Sequence, residues 1–261
     1  MLDTEKINDF AARVDQAAMS AETIPMLSLD GEELGLEDSY VVQRASIQRR
    51  LDRGESLIGM KMGLTSKAKM EQVGVHSPIY GHLTSNMLLE HGDSLNLKDH
   101  CHPRCEPEIA FILAKDLQGP VSAEEALEAV EAICPAIEVI DSRYRDFKFT
   151  LGDVIADNAS SSRLVLGPAR VKADAVDLGN LGMVMEINGS VAQIGSSAAI
   201  YEHPANSLAE LANLLAPLGQ SLKAGWVVMA GGATAAEHLK AGDQVRLSVD
   251  GLGTAEFSVD S

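Results

Sequence analysis

Two glutamates of this chain have a spacing that could serve metal chemistry. Glu106 and Glu108 lie in the segment CEPEIAFI, so a β-strand would place both carboxylates on one face. Adjacent carboxylates repel each other and need a cation or a shared proton. The apolar residues that follow indicate burial, where an unpaired carboxylate is costly and a divalent cation would remove the cost. From these two residues alone, an exposed edge strand with solvated acids remains the alternative.

A third acid strengthens the metal interpretation. Glu138 lies within PAIEVID, one of the most β-branched runs of the chain. Three oxygen ligands without His or Cys favour Mg²⁺ or Mn²⁺ over Zn²⁺, and they leave coordination positions open for water or substrate. Asp141 could assist this site or pair with Arg143, and both alternatives stay open. The pattern favours one hard divalent cation on Glu106, Glu108 and Glu138.

A second candidate metal site lies just before these glutamates. Residues 99–105 read DHCHPRC and offer two histidines and two cysteines. Structural zinc sites usually join two separated ligand pairs, whereas alternating neighbours on one extended segment cannot all face one ion. We therefore favour the carboxylate site.

One lysine stands in a setting that suits catalysis. Lys61 lies within IGMKMGLTS, where the glycines and apolar neighbours predict a buried strand with close backbone approach. It is either a surface side chain or a catalytic cation that burial tunes as a proton donor or acceptor. The polar run DNASSS at 157–162 could hydrogen-bond a carboxylate or form a simple turn.

Composition limits the partners. The 261 residues carry a formal charge of −17, which repels phosphate backbones and anionic membrane surfaces, so we expect neither nucleic acid nor membrane as a partner. An anionic substrate would need local positive charge. The N-terminus lacks the apolar run of a secretory signal, and three cysteines form no even disulfide framework, so we expect a cytoplasmic protein.

The elements that must position these residues follow from periodicity. Helical patterns span about 5–18 and 37–51, and capping boxes at Ser122/Glu125 and Ser207/Glu210 predict two further helices. The rest is β-rich, with hairpin turns at 188–189 and 250–251. We expect an α+β protein with a curved, mixed sheet or barrel. Residues 1–55 would form an N-terminal helical arm and residues 56–261 a β-rich catalytic core, together one compact domain.

Four motifs together resemble the fumarylacetoacetate-hydrolase-like superfamily over residues 39–257. They are the segment GMKMGLTS at 59–66, the Glu106-x-Glu108 pair, EVIDSR at 138–143 and DNAS at 157–160. The resemblance implies a mixed, mainly antiparallel barrel-like core, Mg²⁺ or Mn²⁺ on the three glutamates, and a catalytic role for Lys61.

The closest resemblance is to a branch that contains hydratases and decarboxylases of aromatic meta-cleavage pathways. The segments PIYG at 78–81, DSRY at 141–144 and MAGGATAA at 229–236 favour a decarboxylase of 4-oxalocrotonate (2-oxo-3-hexenedioate). A hydratase of 2-hydroxypenta-2,4-dienoate is the alternative. A noncatalytic partner subunit is disfavoured, because it would not need an intact Lys61 and three acids.

The resemblance also suggests how a 2-oxo dicarboxylic acid is used. We expect the substrate to meet the metal through its C1 carboxylate and keto oxygen, with the metal as electron sink. Leu64, Tyr144, Arg143, Ser160 and Ser161 would contact the substrate, together with Asp141. We expect a homo-oligomer, and a complex with the pathway hydratase stays open.

Overall fold

The computed structural model describes residues 2–31, 34–66, 70 and 77–261. Its helices are α1 (Thr4–Ser20), α2 (Leu36–Asp52), α3 (Ala123–Leu127), α4 (Leu151–Ala156) and α5 (Pro204–Leu215). Its strands are β1 (Leu57–Gly63), β2 (Ile79–Thr84), β3 (Leu88–Leu89), β4 (Ser94–Asn96), β5 (Arg104–Leu113), β6 (Val130–Ile140), β7 (Ser161–Leu166), β8 (Gly182–Ile187), β9 (Ser190–Ser196), β10 (Val227–Met229), β11 (Glu237–His238), β12 (Gln244–Val249) and β13 (Gly253–Asp260).

Two sheets carry the described strands. The larger sheet has the order β2-β1-β10-β5-β6-β7-β3, and β11 pairs with the outer part of β5. Its β1–β10 and β3–β7 pairs are parallel and the others antiparallel. The smaller sheet has the order β4-β13-β12-β8-β9. The predicted α+β class with a mixed, mainly antiparallel β core is confirmed.

The main hydrophobic core lies between the two sheets. Alternate residues of β5, among them Ile109 and Phe111, pack there with Met185 and Phe257 from the smaller sheet. Because side chains alternate along a strand, the even-numbered residues of β5 face the other side of the larger sheet. That face is lined by Ala110 at its inner end and becomes polar toward the start of β5. The pleat therefore separates a structural face from a face available for chemistry.

The two N-terminal helices pack on each other through one charge clamp. Asp15 of α1 accepts two hydrogen bonds of 2.7 Å from Arg53 and one of 3.1 Å from Arg49, both on or just after α2. Phe10 and Val14 bury the apolar face of α1 in a small separate cluster. Both predicted N-terminal helices are confirmed, whereas the boundary near residue 55 stays a prediction.

Of the predicted turns and capping boxes, most are confirmed and one is wrong. Both predicted hairpins form, between β8 and β9 and between β12 and β13, and the capping box of Ser122 and Glu125 starts α3. The box predicted at Ser207 is wrong: α5 begins three residues earlier at Pro204, and Ser207 donates its hydroxyl to the carbonyl of Ala230. Within the described ranges, no helix is long and apolar enough to cross a membrane.

Candidate metal centre

Three carboxylates meet on the polar face of the larger sheet. Glu106 and Glu108 point from β5, and Glu138 stands beside Glu106 on the adjacent strand β6. One oxygen of each carboxylate lies within 4.8 Å of the others, and this is the only such cluster of potential metal ligands found among the described residues. Glu108 and Glu138 are fully buried, while Glu106 keeps partial exposure. The cluster is thus open to solvent on the Glu106 side.

Lys61 completes what we call the carboxylate centre, which consists of Glu106, Glu108, Glu138 and Lys61. Its Nζ lies 3.1 Å from Oε2 of Glu138 and donates a 3.1 Å hydrogen bond to the carbonyl of Ala159. The other oxygen of Glu138 accepts a hydrogen bond of 2.8 Å from the Ser161 hydroxyl. Strand β1 presents Lys61 here because its neighbours Met60 and Met62 point into the main core. One ammonium thus faces three carboxylates.

The loop after β10 closes on this centre through two glycines. The backbone N–H of Gly231 donates a 2.7 Å hydrogen bond to Oε2 of Glu108. Gly231 has φ +110°, and a Cβ on it would lie 2.2 Å from the Thr65 hydroxyl oxygen. A Cβ on Gly232 would lie 2.5 Å from the Glu106 carboxylate. Only glycine therefore fits at these two positions of the loop.

The electrostatics of the centre are those of a cation site. Burial, reinforced by the neighbouring carboxylates, raises the pKa of Glu108 well above its usual range, and burial also raises that of Glu138. Burial opposes the charge of Lys61, but the three carboxylates outweigh that effect and raise its pKa. Oε1 of Glu108 is buried and has no hydrogen-bond partner in the described part of the chain. An all-oxygen, electron-rich donor set with an orphan oxygen fits a hard divalent cation.

A left-handed turn borders the centre. Asn158, Ala159 and Ser160 have φ of 52°, 51° and 57°, a conformation that costs roughly 1–2 kcal/mol per residue without glycine. The turn directs the Ala159 carbonyl to Lys61 and leaves the buried Ser160 hydroxyl without a partner among the residues described. Such strain concentrates at functional sites because the surrounding structure enforces it. Ser160 is therefore well placed to bind a ligand.

A second cluster of buried charges lies beyond this turn, and we call it the Arg143 network (Arg143, Asp157 and Asp141). The Arg143 guanidinium pairs with the Asp157 carboxylate and donates to the carbonyls of Asp141, Asp157 and Ser161. Burial raises the pKa of Asp157 to about 6 against the opposing charge of Arg143. The Asp141 carboxylate accepts the backbone N–H groups of residues 101 and 102, each at 2.8 Å. Four donors of Arg143 are thus already committed within the protein.

The remaining predicted substrate residues are placed differently from one another. Leu64 directly follows β1 with φ +56° and packs against the cluster that contains Ala159. Tyr144 is fully buried with Phe10 in the small cluster under α1, and its hydroxyl donates to the carbonyl of Asp153. Leu64 therefore lies beside the turn that borders the carboxylate centre, whereas Tyr144 packs under α1. Their roles as substrate contacts stay predictions.

The zinc-like segment takes another course. His100 Nδ1 lies 2.9 Å from the carbonyl of Asn96, and Cys105 points into the main core against Met185. Arg104, which the sequence analysis assigned no role, instead shares the polar face of β5 with the two glutamates. In the sequence, the alternation of Arg104, Glu106 and Glu108 already indicates that these three side chains share one face of a strand.

The chain is similar to known proteins in both sequence and fold. The sequence model of the fumarylacetoacetate (FAA) hydrolase C-terminal family matches residues 59–260. A 4-oxalocrotonate decarboxylase of Pseudomonas sp. is 48% identical over 97% of this chain and 98% of its own length. A 2-hydroxyhexa-2,4-dienoate hydratase of Comamonas testosteroni is 38% identical over 98% of both chains.

A solved structure extends the likeness to the whole fold. The 4-oxalocrotonate decarboxylase from Pseudomonas putida G7, complexed with magnesium and adipate, superposes with a TM-score of 0.97. It is 38% identical to this chain, and the match covers 99% of each chain.

Proposed function

Since the chain belongs to the fumarylacetoacetate (FAA) hydrolase C-terminal family, we propose that it decarboxylates 4-oxalocrotonate (2-oxo-3-hexenedioate) with the help of Mg²⁺. The products are 2-hydroxypenta-2,4-dienoate and CO₂, as part of the meta-cleavage breakdown of aromatic compounds. The observation that carries the proposal is the convergence of three carboxylates and Lys61 on one face of the larger sheet. The choice of substrate rests on the 4-oxalocrotonate decarboxylases that are 48% and 41% identical to this chain.

The carboxylate centre fits the metal that this activity needs. Glu106, Glu108 and Glu138 would hold Mg²⁺, the ion in the P. putida G7 structure, and Mn²⁺ would suit the same oxygens. When bound, the ion supplies a Lewis acid that stabilises negative charge on the keto oxygen of a 2-oxo acid. The adipate in that structure is a six-carbon dicarboxylate like the proposed substrate.

The reaction moves one electron pair along the substrate. The C5–C6 bond breaks to release CO₂, and its electrons pass through the C3–C4 double bond to the oxygen on C2. That oxygen then needs a proton. Lys61 Nζ is held between Glu138 and the Ala159 carbonyl, so it can keep positive charge and a proton beside the centre.

Two serines and one apolar residue would complete the site. The Ser160 hydroxyl is buried without a partner in the described ranges, so it can donate to the substrate at little cost. Its neighbour Ser161 donates to Glu138 and so orients a proposed ligand of the metal, and a contact between Ser161 and the substrate stays a prediction. Leu64, which packs against the neighbouring apolar cluster, would add an apolar wall that excludes water from the reacting carbons.

Ultraviolet spectroscopy of purified protein tests the proposal. We expect loss of 4-oxalocrotonate with release of equimolar CO₂, in a reaction that stops when EDTA removes the metal and resumes with MgCl₂. Full activity in the metal-stripped protein would exclude the mechanism. Product identification by chromatography completes the assay.

A hydratase activity is the second candidate, because the C. testosteroni hydratase matches the chain over its whole length. It would add water to 2-hydroxypenta-2,4-dienoate at the same centre. Parallel assays of both substrates with one preparation separate the two activities. Faster turnover of the dienoate than of 4-oxalocrotonate would establish the hydratase.

We further propose that the enzyme works as a homo-oligomer in the cytoplasm and can associate with the pathway hydratase. On the edge strand β9, the side chains of Val191 and Ile194 are 57% and 72% exposed. Exposed apolar residues on an edge strand are typical of a surface that another subunit covers. Light scattering tests the assembly: the double variant V191K/I194K should give smaller particles than the wild type. An unchanged mass would show that β9 is not the interface.

A further inference from the structure

A dicarboxylate substrate adds two negative charges to the carboxylate centre. Three glutamates, one lysine and one divalent ion are already neutral together, and the chain as a whole carries −17. Lys61 is committed to Glu138, and Arg143 is committed to Asp157 and three backbone carbonyls. The far carboxylate therefore needs another cation near the centre.

Arg104 occupies the required place. It is the first residue of β5, and it shares the polar face of that strand with Glu106 and Glu108. It pairs with Ile140 of β6 on one side and with His238 of β11 on the other, so its backbone is fixed within the sheet. Burial lowers the pKa of its guanidinium, while the charge of Glu106 opposes that shift. Arg104 is thus rigidly placed at the open side of the centre.

The guanidinium of Arg104 is oriented but has no anionic partner among the described residues. Its Cζ lies 3.9 Å from the centre of the Phe147 ring, which holds the planar group by its face. Its Nε is buried without a hydrogen-bond partner, and no carboxylate in the described part of the chain forms an ion pair with it. A guanidinium held by its face keeps its N–H edge for a carboxylate, which it can bind through two parallel hydrogen bonds.

The spacing matches the length of the substrate. Residues two apart on a strand are separated by roughly 6.5–7 Å, which sets the distance between the origins of Arg104 and Glu106. The two carboxylate carbons of an extended six-carbon chain are about 6 Å apart, from five carbon–carbon bonds of about 1.5 Å in zigzag. A dicarboxylate of this length can therefore span the distance from Glu106 to Arg104 along the strand.

We propose that Arg104 binds the far carboxylate of the substrate and so selects dicarboxylate over monocarboxylate 2-oxo acids. This inference rests on the proposed function, because it takes the carboxylate centre as the anchor of the 2-oxo acid end. Phe147 is a positioning residue that orients the guanidinium. A monocarboxylate, such as the product dienoate, lacks the group that Arg104 recognises, so it binds more weakly and leaves.

Calorimetry on the Mg²⁺-loaded full-length protein tests this assignment without requiring turnover. The probes are 2-oxohexanedioate and 2-oxohexanoate, which differ only in the far carboxylate. Because a charge-assisted pair with a carboxylate contributes about 10- to 100-fold in affinity, we expect the wild type to prefer the dicarboxylate by that factor. R104Q should bring the preference to about onefold and leave the affinity for 2-oxohexanoate unchanged.

Two companion variants complete the experiment. R246Q removes an equal charge from β12, where the side chain is 56% exposed, and should keep the wild-type preference. R104K keeps the charge without the planar fork and should lower the preference about threefold or more, so it decides the matter if R104Q does not fold. If R104Q prefers the dicarboxylate as strongly as the wild type does, the assignment is overturned. If R104Q does not fold, a wild-type preference in R104K overturns it. Wild-type protein that shows the preference yet releases no CO₂ from 4-oxalocrotonate would instead refute the proposed function.

Discussion

Two clusters of buried charge lie a few residues apart in this protein and differ in one respect. In the Arg143 network, the guanidinium meets the Asp157 carboxylate and three carbonyl oxygens, and the Asp141 carboxylate accepts two backbone N–H groups, so each charged group has a partner within the protein. In the carboxylate centre, three acids face one ammonium, and an oxygen of Glu108 has no partner among the described groups. Each charge of the first cluster thus has a partner, whereas in the second the described residues place one ammonium against three carboxylates.

The difference separates scaffold from site. A buried ion pair whose charges already meet within the protein holds the backbone, and loss of one partner leaves an uncompensated charge. A buried cluster with excess negative charge is unfavourable by itself and becomes favourable when a cation binds. Substitution should therefore harm stability in the Arg143 network and harm function in the carboxylate centre.

The largest effect should come from Glu108 of the carboxylate centre. E108Q removes a ligand charge, so we expect kcat to fall about 1000-fold or more, which corresponds to the several kcal/mol that a Lewis acid contributes. Without Mg²⁺, its Tm should equal or exceed that of the wild type, because an unfavourable buried charge has gone. Steady-state kinetics and calorimetry measure both. A large loss of Tm would place Glu108 with the scaffold.

The Arg143 network should show the opposite behaviour. D157N leaves the Arg143 charge buried without its partner, so the free energy of unfolding should fall by about 3–5 kcal/mol. Urea denaturation measures this change. D116N removes an aspartate from an exposed pair with Lys223 and serves as the control, with little change expected. If D157N unfolds like the wild type, the contrast between the clusters fails.

Addition of Mg²⁺ should stabilise the folded protein, and this effect should depend on the carboxylate centre alone. For wild-type protein treated with EDTA, MgCl₂ at 100 times its Kd should add about 3 kcal/mol, or roughly 5–10 °C in Tm. E108Q should show little of this shift, and D116N all of it. A Tm that does not respond to MgCl₂ would contradict a metal site.

A smaller effect should follow when the loop above the centre is crowded. In G232A, the new Cβ would displace the Glu106 carboxylate, so Mg²⁺ affinity should fall about 10- to 100-fold. G182A is the matched control, because a Cβ at Gly182 meets no atom within 4 Å. Calorimetric titration with MgCl₂ distinguishes them. Equal affinities would show that the loop yields.

The smallest effect concerns the charge clamp of the N-terminal helices. The Asp15 carboxylate is desolvated, but Arg53 and Arg49 outweigh that effect and lower its pKa. An acid with a lowered folded-state pKa stabilises the protein above its ordinary pKa, and this contribution disappears as the pH falls through the lowered value. D15N should therefore cost about 1 kcal/mol at pH 7, after allowance for partly exposed arginines, and less at pH 3. Tm values that differ equally at both pH values would contradict the clamp.

The sequence allowed the carboxylate centre to be predicted because its information is local. Glu106 and Glu108 alternate on one strand, and the apolar run around Glu138 indicates a buried strand. Strand pairing then needs only one register to bring the three together, and β5 and β6 adopt it. The helices and hairpins were predictable for the same reason, since caps and turn residues act within a few positions.

Contacts between distant residues were not predictable in this way. The partner of Arg143 is Asp157, fourteen positions later, and only the fold shows that this pair consumes the charge of the arginine. Tyr144 is adjacent in sequence, yet its ring packs under α1. Arg104 lies within a segment whose histidines and cysteines suggest a zinc site. Its alternation with Glu106 indicates instead that the two side chains share one face of the strand. Tertiary packing, not residue type, decides which of these charges is available.

The left-handed turn at 158–160 has a consequence for the engineering of this enzyme. Ala159 has φ +51°, which glycine adopts freely, so A159G would remove about 1 kcal/mol of strain. The same change would loosen the carbonyl that holds Lys61. A laboratory selection for heat resistance alone should therefore enrich glycine at this position, while a selection for turnover should retain alanine. Selection for thermal stability and selection for catalytic rate should thus favour different residues at this position.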